Sequence, residues 1–427
     1  MTEESAGNAV THLMAPSGCK MKDLIRLAVL GFSVEQLAPE WRKHTMLCDC
    51  NKGNNAIVSQ LKELRMSFSV TEHEVPQDPQ AKRFGYMLKP WLLFLFVSTS
   101  WRQLPPSAVV VIVDTDQYLW ANSYYLWANR QYSGVNTMAA RRHCPENAKC
   151  EALALAPIAQ EYAYGVKWLK TICSGATADI CPNMTTADAR SHFMIGVPYL
   201  LSSADFNVVA QKWFYYMQRV MQNERVGTRD ILADQYAYAL ASFYTGRWPT
   251  QKTSMMLSNV HVDSGEAWSD TVDQMDGTSC SELGMSPQRA QRELPLFIHA
   301  CQWYSTCSDG SQYPCDDVSK AWHFHKGHIP SNFLDCNQSL LMSPPEDLFT
   351  VQRTKAGKRS AFMVCALVHS YNAAAQEQCL RNGGQQRPKC TKILRGMPKM
   401  MYRKRNGSCL PRSNRSRVAV RHGAVRL

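Results

Sequence analysis

The chain has 427 residues and is 45% hydrophobic, so it can form one large domain or two around a substantial core. Its net charge of +12 is concentrated at one end, because residues 381–427 contain 14 lysines and arginines and no acidic residue. Residues 1–380 carry 33 basic and 35 acidic groups. This near-neutral balance argues against a nucleic-acid partner for residues 1–380.

The two ends of the chain and its cysteines bear on the cellular compartment. Residues 381–427 lack hydrophobic periodicity and are predicted to form a basic, disordered tail, with nucleic-acid or anionic-membrane binding as the alternative. The longest apolar run, residues 91–97, is far short of the roughly 20 residues that cross a bilayer. No signal-peptide pattern is visible. Even so, 16 cysteines and four Asn-x-Ser/Thr sequons favour the endoplasmic reticulum or Golgi lumen.

The first 116 residues alternate between apolar strands and helix-like segments. Strands are predicted at 9–14, 44–50, 67–70 and 109–113, and helices at 21–32, 55–66 and 84–97. Strands separated by helices predict an α/β fold with a mostly parallel, Rossmann-like sheet. No Gly-x-Gly-x-x-Gly and no Walker loop is present, which argues against a dinucleotide or P-loop fold.

The run Val109 to Val113 is entirely β-branched, which is typical of a strand covered on both faces. It ends in Asp114 and Asp116. Residues i and i+2 of an extended segment share a face, so both carboxylates can point into one crevice at the strand's carboxyl end. Two like charges at this separation repel unless a cation lies between them. The pair suits a divalent-cation site, but an Asp-x-Asp taken alone favours the alternative, a turn or helix cap.

The sequence YLWAN occurs at 118–122 and again at 125–129. A seven-residue period places both copies on one helical face. We interpret this face as a packing stripe, with sugar stacking by Trp120 or Trp127 as the alternative.

Seven further stretches resemble one family in the same order over most of residues 9–380. They are LKPWLLFLF, IGVPYLLSSADF, ADQYAYALA, SNVHVDSGEAWSD, LPLFIHACQWY, IPSNFLDCNQSLLMSPPEDL and KRSAFMVCALVHSYNAAA. The chain thus resembles the peptidyl serine α-galactosyltransferases, which are related to the hydroxyproline O-arabinosyltransferases.

The resemblance implies a GT-A-like glycosyltransferase domain at 1–380, with a nucleotide-binding half at 9–130 and an acceptor-side half at 131–380. It implies Mn²⁺ or another divalent cation and a UDP-sugar donor. The implied reaction moves a sugar, first choice galactose from UDP-galactose, to a serine of hydroxyproline-rich protein. Hydroxyproline arabinosylation and an inactive glycan- or peptide-binding relative are the alternatives.

The resemblance also suggests roles for single residues. Asp114 and Asp116 would hold the cation, and His299 at the end of a short strand would complete the ligand set. Lys326 would contact the departing phosphate. The alternatives are a buried histidine bonded to backbone and a solvated lysine.

Two acidic residues are candidates for contact with the substrates. Asp234 would contact the acceptor or stabilise positive charge on the sugar, and its alternative is an exposed helix face. Glu266, together with Trp268, would bind the sugar, and its alternative is a loop anchored by a buried tryptophan.

Three segments carry further expectations. Residues 117–120 depart from the family pattern, which leaves the donor sugar open. Residues 307–328 are rich in cysteine and histidine and suggest either structural zinc or disulfides with surface histidines. Asp270, Asp273 and Asp276 recur at every third residue and are predicted to form a solvated face.

Overall fold

The structure, a computed structural model, describes residues 10–74, 87–100, 104–105, 108–120, 157–162, 165–180, 183–223, 226, 232–284, 295–384, 402–403 and 409–410. Within them the strands are β1 (Thr11–Met14), β2 (Ser17–Gly18), β3 (Arg42–Cys48), β4 (Ser69–His73), β5 (Val109–Ile112), β6 (Gln117–Leu119), β7 (Ile158–Glu161), β8 (Ile195–Ser202), β9 (Thr250–Lys252), β10 (Met256–Leu257), β11 (Phe297–His299), β12 (Tyr304–Cys307), β13 (Ala321–Phe324), β14 (Tyr402–Arg403) and β15 (Cys409–Leu410). The α-helices are α1 (Met21–Leu37), α2 (Asn55–Ser67), α3 (Leu88–Thr99), α4 (Lys167–Ile172), α5 (Thr186–His192), α6 (Ser203–Val220), α7 (Ala233–Tyr244) and α8 (Lys355–Arg381). Most of the predicted tail and the second YLWAN copy lie outside the described residues.

The central sheet has eight strands in the order β2, β3, β1, β5, β8, β7 and β9, with β4 also paired to β3. Five of its seven strand pairings are parallel, and the two antiparallel ones both involve β8. The predicted α/β fold with a mostly parallel sheet is therefore confirmed. Strands from both predicted halves of the domain share this sheet, and the division at residue 130 stays a prediction.

The strand that precedes the two aspartates is covered on both faces, as predicted. Val109 and Val111 pack into a core formed with α1, α2 and α8. Val110 and Ile112 pack into a second core with α3, α6 and α7. Burying each such side chain contributes about 1.5–3 kcal/mol, so the four together hold β5 firmly at the centre of the sheet.

Local sequence accounts for the limits of several helices. Asn54 caps α2, because its side chain accepts hydrogen bonds from the N–H groups of Ala56 and Ile57. Thr354 caps the long α8 by accepting from the Gly357 N–H. These caps satisfy N–H groups that have no partner within the helix.

The described residues of the first YLWAN copy, 118–120, are not helical, so that prediction is wrong for them. Gln117–Leu119 forms β6, which pairs antiparallel with β11 in a separate three-stranded sheet. Trp120 is fully buried, its Nε1 donates to the Leu283 carbonyl at 3.1 Å, and its ring meets Phe362 edge-on. The packing role of Trp120 is thus confirmed, and Trp127 lies outside the described residues. Strand pairing with a distant segment overrides the local helical period.

Four disulfides join described cysteines: Cys19 with Cys50, Cys280 with Cys365, Cys307 with Cys315, and Cys336 with Cys379. The bond at Cys307 confirms disulfide formation in the cysteine- and histidine-rich segment. Such bonds persist in oxidising compartments. Within the described part of the chain, the helices are too short or too polar to span a bilayer.

A histidine pair in the central sheet, with His12 buried and His44 half-buried, predicts a loss of stability in acid. His12 Nδ1 and His44 Nε2 lie 2.9 Å apart. Burial, followed by the nearby Arg42 and, for His12, by His44 itself, lowers the pKa of each imidazole to about 4. Both pKa values lie below the unfolded value of about 6.5. The stability that the two neutral imidazoles contribute is therefore fully present above pH 6.5 and is lost as the pH falls towards 4.

We expect the free energy of unfolding, measured with urea, to be lower at pH 5 than at pH 7.5 by about 1 kcal/mol for each histidine. This figure is reduced from the full linkage value because His44 is partly exposed. The double variant His12→Gln/His44→Gln should show a smaller pH dependence. An unchanged dependence would assign the effect to other histidines.

Candidate active site

A tight turn follows β5 and presents the two aspartates. The Asp114 N–H donates to Gln117 Oε1 and the Gln117 N–H donates to the Asp114 carbonyl, both at 3.0 Å. Gln117 Nε2 in turn donates to the Val197 carbonyl at 3.1 Å. Residues 117–120, which depart from the family pattern, are therefore buried, and Gln117 fixes the turn. Asp114 and Asp116 both lie at the carboxyl end of β5, as predicted.

His299 reaches the same turn from the other sheet. It is the last residue of β11, as the sequence predicts, and its register partner in β6 is Gln117. The Ala300 N–H donates to the Asp116 carbonyl at 2.9 Å, which fixes the two segments together. One ligand atom each from Asp114, Asp116 and His299 lies within 4.8 Å of the others. The three predicted metal ligands are thus brought together.

Lys326 lies beside the same turn, and its contact with the departing phosphate stays a prediction. Its ammonium forms a very short ion pair with Asp116 Oδ2, while His299 Nε2 lies 3.4 Å from Oδ1 of the same carboxylate. Burial raises the pKa of Asp116, but His299 and Lys326 outweigh it and hold that pKa well below its usual range. Burial likewise lowers the pKa of His299, but Cys301 and Asp116 raise it to about 10. In the metal-free protein Asp116 is therefore an ionised carboxylate between the Lys326 ammonium and the protonated His299 imidazole. A cation held there would require neutral His299, so its binding would release that proton.

A second lysine, Lys89, links Asp114 to Asp234. Its Nζ lies 2.6 Å from Asp114 Oδ1 and 2.8 Å from Asp234 Oδ2. Sequence reasoning missed this residue. The available signal was a lysine in the first turn of the otherwise apolar α3, because a charge there is buried unless it is paired. Burial would lower the pKa of Lys89, but Asp114 and Asp234 raise it above its ordinary value, so the side chain is charged.

Asp234 is the second residue of α7 and is almost completely buried, so its alternative as an exposed helix face is wrong. Burial raises its pKa and the Lys89 ammonium opposes that shift. Its backbone carbonyl accepts a hydrogen bond from Trp213 Nε1 at 2.7 Å. Through Lys89, Asp234 belongs to the same charged network as Asp114.

Glu266 is hydrogen-bonded within its own loop. Its carboxylate accepts hydrogen bonds from the Ser258 N–H and hydroxyl, the Asn259 N–H and Trp268 Nε1, at 2.6 to 3.2 Å. Burial raises its pKa, and these hydrogen bonds oppose the shift. Trp268 is fully buried. The structure thus supports the loop-anchoring alternative, and the sugar-binding role of Glu266 stays a prediction.

The same loop is tied to α8 by a buried ion pair. Arg359 contacts both oxygens of Asp273, at 3.0 and 2.7 Å, and donates to the His261 carbonyl at 2.8 Å. Asp273 is therefore buried against Arg359, and its predicted place on a solvated face is wrong. Asp276 does face solvent, with its side chain 94% exposed. A bidentate arginine pair of this kind fixes the loop geometrically.

The residues present fit a divalent cation of the Mn²⁺ or Mg²⁺ type. Two carboxylates and one imidazole offer the oxygen and nitrogen atoms that such ions accept. His299 Nδ1 is buried without a hydrogen-bond partner among the described residues, so the imidazole is held by its Nε2 side and by packing. No other cluster of three ligating side chains occurs in the described part of the chain.

No protein-family model matches the chain. No curated protein matches it either. Several solved structures of glycosyltransferases do. The galactosyltransferase LgtC, solved in complex with donor and acceptor sugar analogs, matches at 13% identity and a TM-score of 0.35, over 68% of this chain and 87% of LgtC. Mouse xyloside xylosyltransferase 1 in its apo form matches at 10% identity and a TM-score of 0.33, over 68% of this chain and 98% of the enzyme. At these TM-scores the resemblance to the two enzymes is general and identifies neither a donor nor an acceptor.

Proposed function

We propose that the chain is a metal-dependent glycosyltransferase that moves a sugar, galactose from UDP-galactose as the first choice, to a serine hydroxyl of hydroxyproline-rich protein. The observation that supports this most strongly is the meeting of Asp114, Asp116 and His299 at the carboxyl end of a central strand. Ligands of α/β sheets bind in the crevice at that end. The donor and acceptor identities come from the sequence resemblance.

The three side chains would hold the cation, and a cation held there would stabilise negative charge on the leaving diphosphate. Lys326 lies beside Asp116 and would place an ammonium near the same oxygens. Lys89 orients Asp114 and holds Asp234 close to it. Asp234 would then face the sugar as a fixed negative charge. The disulfides and sequons support a lumenal location in the secretory pathway.

The decisive experiment incubates the purified chain with Mn²⁺ and a panel of UDP-sugars, with and without a serine-hydroxyproline peptide, and measures release of UDP. We expect the fastest release with UDP-galactose and a further increase with peptide. Preference for UDP-arabinose would favour hydroxyproline arabinosylation. No release with any donor at any metal concentration would identify an inactive binding protein.

The role of His299 as a ligand predicts a change in metal requirement. His299→Ala should raise the Mn²⁺ concentration for half-maximal activity about tenfold or more, since losing one ligand weakens the site, and excess Mn²⁺ should restore part of the rate. Lys326→Ala provides the contrast, because it should lower turnover while changing the metal requirement little. An unchanged metal requirement in folded His299→Ala would leave only the two aspartates as protein ligands.

A further inference from the structure

The small sheet of β10, β11 and β6 brings three segments to one edge beside the candidate metal ligands. β11 runs parallel to β10 and antiparallel to β6, so the end of β10, the end of β11 and the start of β6 lie together. Ser258 follows β10, His299 ends β11, and Asp116 directly precedes β6. The ends of β10 and β11 are in register, since Leu257 pairs with Ile298. A group that joins these ends therefore acts on the position of a metal ligand.

Tyr304, the first residue of β12, joins two of these ends. It is fully buried, and its hydroxyl lies 2.6 Å from the His299 carbonyl oxygen and 3.1 Å from the Ser258 carbonyl oxygen. The Cys301 N–H also donates to the His299 carbonyl, but from within the same turn. A hydroxyl has one proton to donate, so the two carbonyls share it. Tyr304 thus holds the main chain of His299 against the residue that follows β10.

The Ser258 end of this bridge is itself fixed. The Ser258 N–H and hydroxyl each donate to the Glu266 carboxylate at 2.6 Å. Trp268 Nε1 donates to the same carboxylate at 3.0 Å. Hydrogen bonds to a charged acceptor are stronger than those between neutral groups. Tyr304 therefore links His299 to a loop that carboxylate hydrogen bonds hold in place.

The His299 ring depends on its main chain for orientation. Metal-bound histidines almost always donate their second ring N–H to a carboxylate, a carbonyl or a water, which fixes the ring. In His299, Nε2 faces Asp116, while Nδ1 is buried without a hydrogen-bond partner among the described residues. Cys301 lies near the ring, but a thiol is a weak hydrogen-bonding group. The imidazole is therefore directed by packing and by the place that the main chain gives it.

We infer that Tyr304 is a positioning residue of the metal site, because its hydroxyl holds the His299 main chain where Nε2 can join Asp114 and Asp116 around a cation. This inference rests on the proposed function, since it concerns the same metal site. It does not depend on which sugar is transferred or on the acceptor.

The test measures Mn²⁺ binding to the purified full chain by electron paramagnetic resonance, with the metal alone and no nucleotide. Tyr304→Phe keeps the ring and removes the hydroxyl. We expect it to raise the dissociation constant for Mn²⁺ about fivefold, less than the loss of a group that contacts a ligand side chain directly. The double variant His299→Ala/Tyr304→Phe should bind Mn²⁺ as weakly as His299→Ala alone, because Tyr304 acts through His299.

Thr177→Val is the matched control. The Thr177 hydroxyl is also fully buried and donates to a main-chain carbonyl, that of Ile172, at 2.7 Å. Tyr304→Phe and Thr177→Val should each lower the melting temperature by a few degrees, because each removes one buried hydrogen bond. Only Tyr304→Phe should change the affinity for Mn²⁺. The comparison separates positioning of a ligand from a general loss of stability.

Unchanged Mn²⁺ binding by Tyr304→Phe, or an equal weakening by Thr177→Val, would overturn the inference. So would a further weakening of His299→Ala by Tyr304→Phe, because Tyr304 would then act on the site without His299. Absence of Mn²⁺ binding by wild-type protein would overturn it as well. Release of UDP from UDP-sugars by the same wild-type protein tests the proposed function separately. The expected pattern of Mn²⁺ binding without UDP release would count against the transferase activity and leave the role of Tyr304 standing.

Discussion

Asp116→Asn is expected to reduce Mn²⁺-dependent sugar transfer about a thousandfold, because it removes a ligand charge whose loss costs several kcal/mol of transition-state stabilisation. The same change should destabilise the metal-free protein by about 2–3 kcal/mol, because Lys326 and His299 lose their shared counter-charge in a buried setting. If repulsion between the two aspartates dominated instead, Asp116→Asn would stabilise the metal-free protein. Urea unfolding in EDTA and UDP release measure the two effects.

Asp114→Asn is the matched comparison. Asp114 is more exposed, at 29% of its side chain against 8% for Asp116, and Lys89 keeps Asp234 as a partner when Asp114 is neutralised. We expect an equally large loss of activity but a smaller loss of stability. A rise in the stability of both metal-free variants would mean that carboxylate repulsion dominates and that the lysine pairs contribute little.

Lys89→Met is expected to lower the free energy of unfolding by about 3–5 kcal/mol, because removing one member of a buried ion network leaves the other charges without compensation. Two carboxylates, Asp114 and Asp234, would remain within the space that one ammonium held at 2.6 and 2.8 Å. Activity should fall as well, since Asp114 would no longer be oriented. Urea unfolding with and without Mn²⁺ measures the effect, and added Mn²⁺ should recover part of the stability.

The double variant Lys89→Met/Asp234→Asn tests the cause. It removes one of the two uncompensated charges and should be more stable than Lys89→Met alone. Lys320→Met is the matched control, because Lys320 pairs with Asp309 on the surface, and its loss should change stability little. Equal effects of Lys89→Met and Lys320→Met would show that the buried network is not a stabilising feature.

The sequence predicted the half of the site that lies on one continuous segment. A β-branched run that ends in two aspartates predicted that both carboxylates lie at the strand's carboxyl end. They do lie there, but a tight turn after β5 presents them, not alternation along the strand. His299 and Lys326 were expected near them only through the family resemblance. Their positions in the sequence carry no information about Asp116, which lies 210 residues before Lys326.

Other features were not accessible from local pattern. The seven-residue spacing of the two YLWAN copies predicted a helical face, but Gln117–Leu119 forms β6 because β11 offers it a partner strand. Asp273 repeats at a spacing typical of an exposed face, but Arg359 of α8 buries it. In each case a contact from elsewhere in the fold outweighed a local preference worth less than about 1 kcal/mol.

By itself the sequence determined the alternation of strands and helices, the parallel character of the sheet and the position of the two aspartates at a strand end. These follow from burial patterns, which act over a few neighbouring residues. Only the tertiary structure decided which charges meet: Lys89 with Asp114 and Asp234, and Lys326 and His299 with Asp116. Electrostatic pairing depends on distance in space. Four segments have to meet: the β5 turn, the starts of α3 and α7, and the end of β11. They do so only when both cores have packed against the sheet.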